Sequence, residues 1–264
     1  MASSFIRAVL PRLACRHLKI GNNCNGRYLY GCNKRWVSSG SDLVQVEQDD
    51  SDNEIVVLKM NVKPVNACTA EFNNAMTKLI KDLDADEQSK GLILTSTLPN
   101  VFSAGLQLTA LHGKSYDEIK EYFSTFQTMA HTLFTSRLAT VAAINGHAIA
   151  GGCVIALCCE YRVMAEGKFH NGLNEVIVGI PMPAWVSAYT VYALGTNTAE
   201  KVILSGKKHT PREALQVGLV DQVVPPDDLI QVSKNILSDL IKVGDYPRRL
   251  SKERLRKELL MFSL

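Results

Sequence analysis

From residue 54 onward the chain alternates short apolar runs with longer amphipathic stretches. The runs Ile55–Met60, Gly91–Ser96, 139–145 and Tyr161–Ala165 are aliphatic or β-branched and bounded by turn residues, which predicts strands buried on both faces. Between the first two, Phe72, Ala75, Met76, Leu79, Ile80 and Leu83 recur at i, i+3, i+4, i+7, i+8 and i+11, one face of a helix. A second helix is predicted to open at the capping box Ser115-Tyr-Asp-Glu118 and to bury Ile119, Phe123, Phe126, Ala130 and Leu133. A third opens at Thr210-Pro-Arg-Glu213, with a cap, proline at the first helical position and Gly218 past its end. Strands alternating with helices, without an internal repeat, predict an α/β domain of βα units.

Composition adds one large core. The chain has 264 residues, 46% hydrophobic and 21% charged, enough for a single domain with extensions. Its formal charge of +3 is unevenly spread. Residues 1–41 hold Arg7, Arg12, Arg16, Lys19, Arg27, Lys34 and Arg35 and no acidic residue, so the remainder carries about −4. That balance removes support for a nucleic-acid partner. The leader can place Phe5, Ile6, Val9, Leu10 and Leu13 on one helical stripe with arginines largely off it, the composition of a mitochondrial transit peptide. Residues 1–38 are therefore expected to be a targeting segment for the mitochondrial matrix, and 39–264 the folded domain; the alternative is a disordered basic tail. No apolar run approaches the ~20 residues of a membrane span, so no transmembrane segment is expected. Cys68, Cys153, Cys158 and Cys159 show no metal-type spacing, and adjacent Cys158 and Cys159, expected in an apolar helix, read as small core residues rather than a redox pair. No metal site is expected.

In an α/β fold, ligands bind where loops leave the carboxyl ends of strands. Three segments follow predicted strands: Pro99-Asn-Val-Phe-Ser-Ala-Gly105, Gly146-His-Ala-Ile-Ala-Gly-Gly152 and Asn171-Gly-Leu-Asn-Glu175. The middle one ends in a glycine pair that opens the apolar helix 153–158. Amide groups at a helix start lack intrahelical partners and favour an anion, although a lone glycine pair reads first as close helix–strand packing. Neither a phosphate-binding Gly-x-x-x-x-Gly-Lys nor a Gly-x-Gly-x-x-Gly occurs, and no serine sits in a Gly-x-Ser-x-Gly elbow.

Taken in order, Phe102-Ser-Ala-Gly105, Ala143-Ile-Asn-Gly146, Ala150-Gly-Gly-Cys153, Glu160-Tyr-Arg162 and Thr210-x-x-Glu-Ala-x-x-x-Gly-Leu-Val-Asp221 resemble the crotonase (enoyl-CoA hydratase/isomerase) superfamily, over about 55–224. The resemblance implies an α/β spiral core of ββα-like turns, acyl-CoA thioester substrates and homotrimers. It implies an oxyanion hole formed by the backbone N–H groups of Ala104 and Gly151. It also implies that Ala104, Gly105, Leu106, Gln107, Leu108, Gly151 and Asn174 bind substrate, with Leu106 and Leu108 as apolar walls. Gln107 departs from the aspartate frequent in relatives. No cofactor is implied, because coenzyme A is part of the substrate.

Hydratases of this superfamily activate water with two glutamates. Here the first position is Val154, which can neither hold nor deprotonate water, and the second is Glu175. One carboxylate facing a thioester enolate suffices for a 1,3-proton shift. Gly172-Leu-Asn-Glu175, with Gly179-Ile-Pro and Trp185, is most similar to the mitochondrial Δ3,Δ2-enoyl-CoA isomerase branch. The expected activity is conversion of 3-enoyl-CoA to trans-2-enoyl-CoA in fatty-acid β-oxidation, with Glu175 as the single acid/base. Asn174 reads equally as a substrate contact or as a turn residue bonding its own backbone. His112, His131 and His147 are competing bases by residue type, but match no catalytic position. Relatives continue past the position of Leu264 with another helix, so the C-terminal helical region is expected to be shortened. Alternatives are a non-catalytic acyl-CoA-binding member, a hydratase or a dienoyl-CoA isomerase.

Overall fold

The computed structural model describes residues 42–48 and 53–262; the expected targeting segment, 1–38, lies outside them. After β1 (Val44–Gln48), the chain makes four turns of similar plan. Each runs through a long strand, one or two short strands and a helix. The first is β2 (Ile55–Met60), β3 (Ala67–Cys68) and α1 (Ala70–Ala85); the second is β4 (Gly91–Ser96), β5 (Asn100–Ser103), β6 (Gly105–Leu106) and α2 (Tyr116–Thr135). The third is β7 (Ala139–Ile144), β8 (Gly146–Ile149) and α3 (Gly151–Cys158). The fourth is β9 (Tyr161–Ala165), β10 (Asn171–Gly172) and α4 (Ala184–Leu194). The rest follows as α5 (Thr196–Ser205), α6 (Pro211–Gln216), β11 (Gln222–Val224), α7 (Leu229–Lys242) and α8 (Asp245–Arg256).

The long strands form one sheet in the order β1-β2-β4-β7-β9-β11, with β1 antiparallel and the others parallel. Parallel neighbours require crossovers, and the helices supply them. The short strands build a second sheet, β10-β8-β5, and a third, β3-β6. This is the ββα spiral implied by the motifs.

The long strands are largely apolar because both of their faces are packed. Val56, Leu58 and Met60 join a core that includes Phe72, Met76 and Ile80 of α1. Ile55 and Val57, on the opposite face, join Ile93, Val141, Val163 and Leu237 of α7. Both faces are covered, so neither tolerates polar alternation.

The predicted helices form with their caps. Ser115 accepts from the Glu118 amide and Glu118 reaches back to Ser115, and the same box forms at Thr210 and Glu213. Two expectations need correction. Ile119 and Phe123 are half-buried, because the start of α2 stands at a cavity rim rather than over the core. Cys159 caps α3 instead of lying within it, though both Cys158 and Cys159 are buried.

Candidate active site

The loops leaving β4, β7 and β9 meet around one cavity of about 180 Å³. Its wall brings together Ala104, Leu106 and Leu108 from the first loop, Ile149, Ala150, Gly151 and Val154 from the second, and Asn174 and Glu175 from the third. Phe123 and Phe126 of α2, Val178, Ile180 and Pro183 from the segment before α4, and Trp185 and Val186 of α4 complete it. Motifs some seventy residues apart thus form one site.

The glycines are there because backbone meets backbone. Gly105 has φ +81, and a Cβ added to it would stand 2.5 Å from the Gly151 nitrogen. A Cβ on Gly152 would stand 2.1 Å from the Ser103 carbonyl oxygen. Gly152 therefore serves close packing, while Gly151 serves the cavity. Between β8 and α3 the chain turns at Ala150, whose φ of 51 and ψ of −121 are sparsely populated by residues with a side chain. That turn makes Gly151 the first residue of α3, where the N–H has no intrahelical partner.

Ala104 departs from expectation. Its side chain lies on the cavity wall, but its N–H donates to the Val65 carbonyl at 3.0 Å, so the oxyanion role implied for that amide is not supported. The Gly105 N–H donates to Ser103 Oγ and the Gln107 N–H to the Tyr122 hydroxyl. Leu106 is the loop residue whose nitrogen adjoins Gly151, 3.4 Å from where a Cβ on that glycine would lie.

Beneath the loop, buried Asn66 acts as a brace that sequence reasoning missed. Its Oδ1 accepts from the Val62 amide, and its Nδ2 donates to Ser96 Oγ and the Phe102 carbonyl. Ser103 Oγ donates to the Asn66 carbonyl at 2.7 Å. No spacing rule reveals such a hub, because all of these partners except Val62 lie thirty or more residues away.

Glu175 begins a short 3₁₀ turn, Glu175–Val178, closed by Gly179 in the left-handed conformation. It is the one ionisable side chain among the described residues on the cavity wall. Its Oε2 is buried without a protein partner, as is Asn174 Oδ1. Burial raises the Glu175 pKa above the ordinary carboxylate range, with its own backbone N–H partly opposing. Val154 is 2% exposed and faces the same cavity.

Gln107 is exposed and Gly105 buried, and neither is on the cavity wall. Among the histidines, His112 is exposed, His131 Nδ1 lies 2.9 Å from the Tyr189 hydroxyl, and His147 stacks on His170. None is on the cavity wall. No cluster of three or more metal-ligating side chains occurs among the described residues, and no helix there is long and apolar enough to cross a membrane.

The spiral, the glycine-built loop junction and the single desolvated carboxylate define a class. The enoyl-CoA hydratase/isomerase family model matches residues 50–261, and the chain belongs to that family. It is 38% identical over 204 residues to the mitochondrial enoyl-CoA delta isomerase 1 of Mus musculus, covering 77% of this chain and 71% of that protein. It is 31% identical over 216 residues to a putative enoyl-CoA hydratase of Thermus thermophilus, covering 81% and 83%. The crystal structure of human mitochondrial delta3-delta2-enoyl-CoA isomerase superposes with a TM-score of 0.81 at 36% identity, covering 83% of this chain and 85% of that one.

Proposed function

We propose that the protein is a Δ3,Δ2-enoyl-CoA isomerase. The observation that carries this reading is that Glu175 faces the cavity as its sole carboxylate among the described residues, while Val154 occupies the place where a hydratase needs a second. The similarity to named isomerases supports it. In this mechanism the Glu175 carboxylate takes the proton from C2 of a 3-enoyl-CoA. The C2–H electron pair enters the conjugated system, and negative charge collects on the thioester oxygen as a dienolate. The N–H groups of Gly151 and Leu106 stabilise that oxygen; Leu106 replaces Ala104 because the Ala104 amide is taken up by Val65. Removing one such donor in other enzymes costs roughly 3 kcal/mol of transition-state stabilisation. The protonated Glu175 then delivers the proton to C4, the C3–C4 double bond becomes C2–C3, and the carboxylate is regenerated. No cofactor takes part.

A raised pKa suits this role, since a desolvated carboxylate is a stronger base than one in water. The unpaired buried oxygen of Asn174, beside Glu175, supports a substrate contact at this residue. The reading includes 1–38 as a mitochondrial transit peptide, 39–264 as the catalytic domain, the matrix as the site of action and a homotrimer as the assembly. Composition of the leader and the mitochondrial relatives support the location.

The test is incubation of residues 39–264 with 3-enoyl-CoA, following the conjugated 2-enoyl thioester spectrophotometrically. Turnover is expected, and Glu175→Gln should abolish it while acyl-CoA binding persists. Binding without turnover in the wild type would establish a non-catalytic acyl-CoA-binding protein instead. Val154→Glu is expected to admit slow hydration of 2-enoyl-CoA, detected as 3-hydroxyacyl-CoA; no gain would remove the explanation given for Val154.

A further inference from the structure

The Leu106 amide belongs to a segment too short to hold itself in place. β6 is two residues long, starts with Gly105 at φ +81 and gives way after Gln107 to the 3₁₀ turn Leu108–Leu111. A donor aimed at a developing negative charge is effective only when it is fixed beforehand. Other parts of the chain do the fixing.

On its N-terminal side the loop is tied to the first turn of the spiral. The Ala104 N–H donates to the Val65 carbonyl, the Gly105 N–H to Ser103 Oγ, and Ser103 Oγ to the Asn66 carbonyl. β6 also pairs with β3, which sets Leu106 opposite Cys68. On its C-terminal side the tie is a side chain of α2. The Tyr122 hydroxyl accepts from the Gln107 N–H at 2.9 Å and donates to the Cys68 carbonyl. One hydroxyl thus joins the residue after Leu106 to the residue paired with Leu106, and in such a relay each hydrogen bond polarises and strengthens the other. Tyr122 is half-buried and stands edge-on to Phe123, with ring centres 6.0 Å apart. Phe123 is on the cavity wall and Tyr122 is not.

We propose that Tyr122 is a positioning residue for the reaction, its hydroxyl holding the Leu106 N–H where it meets the carbonyl oxygen of the bound thioester. This rests on the reading of Leu106 as an oxyanion donor. Outright loss of such a donor costs about 10²–10³ in rate; a donor that is present but loosely held costs less, and roughly tenfold is expected.

Tyr122→Phe removes the hydroxyl and keeps the ring against Phe123. Gln107 is exposed, so its amide can take water as a partner and the fold is kept. The probe is 2,4-hexadienoyl-CoA, whose ultraviolet band moves to the red when hydrogen bonds polarise its thioester carbonyl, with no turnover required. Binding to the wild type is expected to shift the band, and the shift in Tyr122→Phe should be about half as large or less. On 3-hexenoyl-CoA, kcat should fall roughly tenfold while KM and hexanoyl-CoA affinity change by less than about twofold, as for an interaction made in the transition state. Ser136→Ala separates positioning from a general loosening of α2. It cuts the bond from Ser136 Oγ to Asp84 Oδ1 at the far end of that helix, and should lower Tm while leaving the band and kcat unchanged. Both variants are checked for a cooperative thermal transition. A reduced shift in Tyr122→Phe, with a wild type that shifts the band but never turns over, would support the proposal while overturning the isomerase reading. A full shift and normal kcat in Tyr122→Phe, or an equal loss in Ser136→Ala, would overturn the proposal and leave the isomerase reading standing. An unshifted band in the wild type would also overturn the proposal.

Discussion

Glu175 shows how one side chain couples activity to stability. Its carboxyl is desolvated and its Oε2 unpartnered, so its folded-state pKa is raised. A raised acid pKa contributes stability that is fully present below the unfolded value, about 4.3, and lost as pH rises through the folded value. Glu175→Gln removes the buried charge. The variant is expected to be more stable than wild type at pH 7, with the difference closing below about pH 4. Urea unfolding of both proteins across that range measures this, and a less stable variant at neutral pH would contradict it. The wild-type kcat/KM should rise with pH through the same raised pKa, since the base must be ionised. Gly105→Ala tests the loop junction instead. A Cβ at φ +81, 2.5 Å from the Gly151 nitrogen, forces the two loops apart, so at least a hundredfold loss of activity is expected, of the size seen when an oxyanion donor is lost. The motifs grouped Glu175, Gly151 and Val154 in advance, and one cavity wall holds all three. The donor on the first loop was misread at Ala104 because its competitor, the Val65 carbonyl, belongs to a different turn of the spiral.

At the scale of elements, α8 is the informative case. Arg248, Lys252 and Arg256 recur every four residues, giving a cationic stripe where an apolar one would be sought. Its targets are carbonyls at helix ends. Arg248 donates to the Arg137 carbonyl, Lys252 to that of Leu138, and Arg256 to those of Phe134 and Cys158. These lie at or just past the C-termini of α2 and α3, where unpaired carbonyls and the helix dipole favour cations. Glu160, just after α3, binds both Arg248 and Lys252, with N···O distances of 2.8 and 2.6 Å. Burial opposes its charge, but Lys252 and Arg248 outweigh that and hold the carboxyl below its usual range. Glu160→Gln leaves two cations without their partner and is expected to lower stability by about 3 kcal/mol at neutral pH. A depressed acid pKa contributes stability above the unfolded value and loses it as pH falls through the folded one. The deficit of the variant should therefore shrink in acid, which thermal melts across pH can follow; a constant deficit would point to packing alone. The long strands and capped helices were legible because each is a run with its own period. The two- to four-residue strands β3, β5, β6, β8 and β10 are too short to carry one, and α8 hides its buried face behind charge.

For the molecule as a whole, the decisive fact is that the cavity wall draws on several successive turns of the spiral. Leu106 comes from β6, Phe126 from α2, Val154 from α3, Glu175 from the segment after β10 and Trp185 from α4. The parallel order β2-β4-β7-β9 stacks these turns so that each shares a core with the next. Sequence order alone suggested such a stack, but only the pairing β10-β8-β5 explains how the three loops are held in register at one end. A ligand in that cavity touches all of them, so no one turn can open while it stays bound. Acyl-CoA binding should accordingly stabilise the whole described domain rather than a lid. At a free concentration of 100 Kd, linkage gives about 2.7 kcal/mol, which corresponds to a rise of roughly 5–10 °C in Tm for a domain of this size. Scanning calorimetry with hexanoyl-CoA is expected to show one transition displaced upward by that amount. Glu175→Gln should show a comparable displacement, because the acyl group and the amide donors remain. Two transitions of which only one moves would mean that the turns unfold independently, and that the cavity belongs to a local unit instead of the spiral.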